Sequence, residues 1–90
     1  MNDSTHRKVI EAIHSKWLDG KPFAVHEVRD ASGVSTSSVR RTLDFLVEIR
    51  LVRHSTKASL RRNYRVMASW NDNITENIEA FELAKIMEMK

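Results

Sequence analysis

Apolar residues recur along this chain with two different periods, and the change from one to the other divides it. Between residues 5 and 18, Val9, Ile10, Ile13 and Trp17 fall on one stripe with His6 and His14 on its margins, the spacing of a helix packed on one side. Residues 1–4 are expected to fray. Gly20 and then Pro22 give the usual stop, a residue able to turn left-handed followed by one that cannot continue a helix. Phe23-Ala24-Val25 has room only for a small strand or an extended lead-in. Residues 26–31 can make a short helix with Val25, Val28 and Ala31 facing inward, and Ala31-Ser32-Gly33-Val34 reads as a turn. Ser35 then has the hydroxyl of an N-cap. Over residues 35–49, Val39, Leu43, Leu46 and Val47 share one helical face, with Thr42 and Ile49 at its edge. Ser37, Arg41, Asp44 and Glu48 lie opposite, and Arg40 between the two.

After Ile49 the period shortens. Residues 51–56 and 60–67 are compatible with β-structure, Tyr64 and Val66 alternating with Asn63 and Arg65. Thr56-Lys57-Ala58-Ser59 joins them without Gly, Asn or Asp, so a longer loop is expected in place of a two-residue turn. Residues 68–73 form a connector. Asn73, with Glu76 three residues on, predicts a capping box opening a last helix that runs to about Met89. That helix is apolar on two sides: Ile74, Ile78, Phe81 and Met89 with Ile86 beside them, and Ala80, Leu83, Ala84 and Met87. One face suits its own domain and the other a second chain. The predicted fold is mainly α with a small β-hairpin, an α+β domain over residues 5–67 followed by a connector and association helix over 68–90.

Charge changes this picture more than composition does. Ninety residues, 41 % of them hydrophobic and 30 % charged, fit one small globular domain with a thin core. No apolar run approaches the ~20 residues needed to span a bilayer, and Met1-Asn2-Asp3-Ser4 does not open a secretory leader, so a cytoplasmic protein with no membrane association is expected. There is no cysteine, which excludes disulfides and thiolate zinc sites. The net charge of +3 is unevenly spread. Residues 1–34 are balanced, residues 35–67 carry +6 through seven arginines and a lysine against Asp44 and Glu48, and residues 68–90 carry −3. Arginine suits bidentate contacts to phosphate and guanine, and a basic centre with an acidic tail suits a nucleic-acid-binding module with a separate association element. His6, His14, His26 and His54 show no metal-ligand spacing, and Trp17 and Trp70 read as packing anchors. With no nucleophile elbow, phosphate-binding glycine loop or paired carboxylates, neither an enzyme nor a cofactor is expected.

The run from Phe23 to Leu46, FAVHEVRDASGVSTSSVRRTLDFL, resembles the winged helix-turn-helix of bacterial and archaeal transcription regulators, with Leu51-Val52-Arg53-His54 and Tyr64-Arg65-Val66 as the wing. The resemblance covers residues 5–67. The added last helix is similar to the dimerisation helices of MarR-type and ArsR-type repressors. Two departures are His26, where such proteins often carry a Ser or Thr cap, and a wing without a tip glycine. The resemblance implies a winged helix-turn-helix, with residues 35–49 as recognition helix, that binds double-stranded DNA as a homodimeric transcriptional regulator, a repressor by site occupancy. Ser35, Thr36, Ser37, Arg40 and Arg41, at the helix end that favours phosphate and reaches base edges, are the expected DNA contacts, with Arg53, Lys57, Arg61, Arg62 and Arg65 of the wing. Arg41 is placed for base readout and Arg40 for a backbone phosphate. Asp44 and Glu48 confine the docking to the first two turns. Ile78, Phe81, Leu83, Ile86 and Met87 are the expected dimer contacts. The alternatives are a winged-helix module for protein interaction or assembly, as in replication or a phage-like system, and a small-molecule sensor with a pocket under the last helix.

Overall fold

Val9, Ile10 and Ile13 are fully buried along one face of helix α1 (Asp3–Leu18), which begins two residues before the expected start. The computed structural model describes residues 3–18, 22–54 and 63–88; the predicted stop at Gly20 lies outside them. Strand β1 (Phe23–Ala24) leads directly into helix α2 (Val25–Ser32). No hydroxyl caps α2. Glu27, three residues into the helix, reaches back so that its Oε1 accepts from the Ala24 N–H at 3.0 Å. That is half of a capping box: it serves the N–H of the cap residue, while no side chain among the described residues accepts from the first-turn N–H groups as a Ser or Thr at Ala24 would, and His26 is exposed. Ala31, expected to face inward, is exposed; α2 is held instead by buried Val28 and half-buried Val25. Gly33 ends the helix in the left-handed region (φ 72°), its N–H donating to the Arg29 carbonyl at 2.9 Å.

Helix α3 (Thr36–Glu48) starts at the predicted cap, where Ser35 Oγ accepts from the Ser38 N–H at 3.4 Å. Val39, Leu43 and Leu46 are buried and Val47 half-buried, as the periodicity predicts. The covered arc is wider than expected, because Thr42 and Phe45 are buried too. Thr42 Oγ1 has no hydrogen-bond partner there. The helix closes with paired bonds from the Arg50 N–H to Val47 O (3.1 Å) and from the Leu51 N–H to Leu46 O (3.0 Å). Arg50 stands at φ 65°, the position glycine usually takes in this motif.

Strands β2 (Val52–His54) and β3 (Asn63–Val66) pair antiparallel, Val52 with Val66, Arg53 with Arg65 and His54 with Tyr64. The hairpin is joined by a third strand, because β1 pairs with the other edge of β3, Phe23 opposite Tyr64. The sheet order is β1-β3-β2, and the Phe23 and Tyr64 rings stack at 6.1 Å on its buried side.

Helix α4 (Ile74–Glu88) is capped by Asn73, whose Oδ1 accepts from the Thr75 N–H at 3.1 Å. The capping box does not close. The Asn73 N–H donates to Asn71 Oδ1 (3.0 Å), and Glu76 accepts instead from the Asn71 side-chain amide. Buried Asn77 then binds the Asn71 backbone at both ends, accepting from its N–H and donating to its carbonyl, each at 2.8 Å. Trp70 is buried in the same connector, its Nε1–H donating to His14 Nδ1 at 3.1 Å, which ties the connector to α1. Further along α4, Phe81 is sandwiched: His6 of α1 stacks on one side at 4.6 Å and Phe45 of α3 meets it edge-on at 5.0 Å. The molecule is thus mainly helical with a small three-stranded antiparallel sheet. Among the described residues no helix is long and apolar enough to cross a membrane.

Candidate nucleic-acid interface

The turn at Gly33 and the cap at Ser35 set the start of α3 at the surface. Ser35 Oγ lies 3.4 Å from Ser37 Oγ and donates to Ser38 Oγ at 3.2 Å, so three hydroxyls cluster in the first turn, where the helix dipole is positive and the cap serves the Ser38 N–H. Ser35 and Ser37 are exposed and Thr36 is half-buried. Arg40 and Arg41, one turn on, are both exposed, as are Asp44 and Glu48. The alternative role for these arginines, pairing along the helix with Asp44, is not made: among the described residues, no carboxylate lies within ion-pair distance of either guanidinium.

The same holds of the exposed Arg50, Arg53 and Arg65. The ion pairs among the described residues all fall elsewhere: His6 and Arg7 with Glu82, Lys16 with Glu27, Arg29 with Asp30, and Lys85 with Glu88. They engage the arginines of α1 and α2 and the lysine of α4, while the arginines of α3 and the hairpin have no carboxylate partner among the described residues. The structure brings Arg53 and Arg65 together through strand register, while the α3 arginines sit about 10 Å back along the helix from its C-terminal end, at ~1.5 Å per residue. Lys57, Arg61 and Arg62 of the expected wing lie outside the described residues.

The expected dimer residues divide. Phe81 is 1 % exposed, and Ile78 packs against the same core; the domain has used both, because α4 lays this face over α1 and Phe45. Leu83, Ile86 and Met87 remain exposed, at 60 %, 58 % and 66 %. At positions i, i+3 and i+4 they form one stripe, beside exposed Ala80 and Glu79.

Sequence reasoning missed Phe45, the residue of α3 that meets α4. Its signal was its place three residues after Thr42, on the edge of the apolar arc. It missed Glu82 as well, which holds α4 to α1. Arg7 donates to both its carboxylate oxygens (3.1 and 3.4 Å), and His6 Nε2 is 3.3 Å away. The Arg7 hydrogen bond, with its charge and the His6 contact adding, outweighs partial burial and holds the Glu82 carboxyl below its ordinary pKa.

Of the other histidines, His26 is exposed and two contact aromatic side chains. His14 accepts from Trp70, and His54 lies against the Tyr64 ring at 4.8 Å. Among the described residues no three His, Asp or Glu side chains converge as a metal site would require. A groove lined by Trp17, Trp70 and residues 68–72 opens broadly to solvent, unlike the enclosed apolar pockets that bind small molecules. No family model, no curated protein and no solved structure matches the chain.

Proposed function

We propose that this chain is a winged-helix protein that binds double-stranded DNA through the first two turns of α3 and the β2–β3 hairpin. It would act as a homodimer, joined through α4, and repress transcription by occupying its site. The observation that carries this reading is the segregation of ion pairs. Five exposed arginines, Arg40, Arg41, Arg50, Arg53 and Arg65, lie on α3, the turn after it and the hairpin without a carboxylate partner among the described residues, while Arg7 of α1 and Arg29 of α2 are both paired. Exposed guanidinium groups in a continuous stretch of +6 favour a polyanion, and the N-terminal half of a helix reaches base edges in the major groove. The exposed stripe Leu83, Ile86 and Met87 supports the dimer, in which two copies of α3 would reach successive major grooves about 34 Å apart.

A salt titration of binding to duplex DNA tests the reading. Affinity should fall steeply, with a log–log slope of about −0.9 for each phosphate contacted. Arg41→Ala should weaken binding and blur sequence preference, costing about 1–3 kcal/mol at the preferred base, whereas Arg40→Ala should weaken all sequences alike. Sedimentation should give a dimer that Leu83→Glu dissociates. Absence of DNA binding at low salt would leave an interaction module as the better description.

A further inference from the structure

The hairpin register places one arginine directly across from another. Arg53 of β2 faces Arg65 of β3, between the pairs Val52–Val66 and His54–Tyr64. Successive residues of a strand point to opposite faces of a sheet. Val52 and Tyr64 are buried on the inner face, so Arg53 and Arg65 share the outer one, and both are exposed. Directly opposed residues have Cβ atoms about 4.5–5.5 Å apart, close enough for two long side chains to meet on a single group. Like charges in that position destabilise a sheet, and this sheet is small, with strands of two, three and four residues. No carboxylate among the described residues relieves the repulsion. An anion between the two would.

We propose that Arg53 and Arg65 form a two-guanidinium clamp that grips one phosphate group of the DNA backbone and works as a unit. The inference rests on the DNA-binding reading above and adds to it what the outer face of the hairpin holds. Each guanidinium is a planar fork of N–H donors that fits two phosphate oxygens. Two such forks facing each other across strands can donate to the two non-bridging oxygens of one phosphodiester and share its charge. This contact fixes position on the duplex without reading sequence. Free phosphate offers the same oxygens, but only the backbone fixes them in place relative to the rest of the duplex.

The test uses the full chain as wild type, Arg53→Gln, Arg65→Gln and the double variant. Binding to a random-sequence duplex is measured across salt concentrations, and thermal unfolding is measured without DNA at low salt, in chloride and in inorganic phosphate of matched ionic strength. Each single variant should lose about tenfold in affinity, the size of one charge-assisted contact. The double variant should lose little more than either single, and all three should shed the same slope of about 0.9, one phosphate. Without DNA, each single variant should unfold at a higher temperature than wild type, because removing one charge relieves the pair. Losses that multiply in the double variant, with the slope falling twice, would show two separate contacts and overturn the clamp. So would unchanged affinity in all three variants. A wild type that binds no DNA would remove the functional reading itself. In that case, phosphate raising the unfolding temperature of wild type but not of the variants would leave a clamp for small phosphates and overturn its assignment to DNA, and no phosphate effect would overturn both.

Discussion

Gly33 and Arg50 hold the same left-handed conformation after a helix, at φ 72° and 65°, on different terms. Glycine has no β-carbon to crowd the following carbonyl, and nothing lies within 4 Å of where one would be added at Gly33. Gly33→Ala therefore meets only the backbone penalty and should lower stability by about 1 kcal/mol. Arg50 carries that penalty already, held in place by the two bonds that close α3 and by Ser69 Oγ, which donates to its carbonyl at 2.6 Å. Removing the arginine also removes a positive charge near a helix C-terminus, so the informative comparison is between two uncharged replacements. Arg50→Gly should be more stable than Arg50→Ala by about 1 kcal/mol, as read from urea unfolding of the two variants. The turn at Gly33 was legible in the sequence because glycine announces the conformation. The turn at Arg50 was not, since arginine gives no such sign and the two closing bonds are made by backbone atoms.

Among the elements, α4 has the least conventional attachment. Only Asn77 and Phe81 of it are buried; half-buried Ile74, Ile78 and Ala84 pack against the core beside them, and hydrogen bonds at its start and Glu82 between His6 and Arg7 complete the attachment. A carboxylate whose pKa is lowered on folding contributes stability that is complete above its unfolded value, near 4.3, and is lost as the pH falls through the folded one. Glu82→Gln removes that contribution. Wild type should therefore be more stable than the variant at pH 5, and the gap should narrow as the pH falls below about 4.3. Unfolding midpoints measured from pH 5 to pH 3 would show it, and a gap constant across that range would remove Glu82 as its source. The helix and its cap could be read from Asn73 and the apolar spacing. Which of its two faces meets the domain could not, because both are apolar and the choice depends on Phe45 and His6, distant in sequence and brought together only by folding. The exposed face of α3 was legible from periodicity alone. The opposition of Arg53 and Arg65 was not, since alternation gives each strand its faces but the register across residues 55–62 has no turn signal to fix it.

At the scale of the whole molecule, the third strand carries a consequence for the order of assembly. β2 and β3 meet across about ten residues, His54 to Tyr64, and are neighbours in the chain. β1 meets β3 across about forty, Phe23 to Tyr64, with α2 and α3 lying between them. Closing a loop costs about 0.6 kcal/mol more for each doubling of its length, so the longer closure costs about 1.2 kcal/mol more than the shorter. The hairpin should therefore form before β1 arrives, and the buried Phe23 ring should dock late, after the rate-limiting step. Phe23→Leu should then leave the refolding rate near that of wild type and speed unfolding, so that in stopped-flow measurements the refolding limbs coincide and the unfolding limb rises. A slower refolding limb would place β1 in the nucleus. On this ordering a strand of two residues acts as a latch: it adds nothing to how fast the domain forms, and it sets how long the domain lasts.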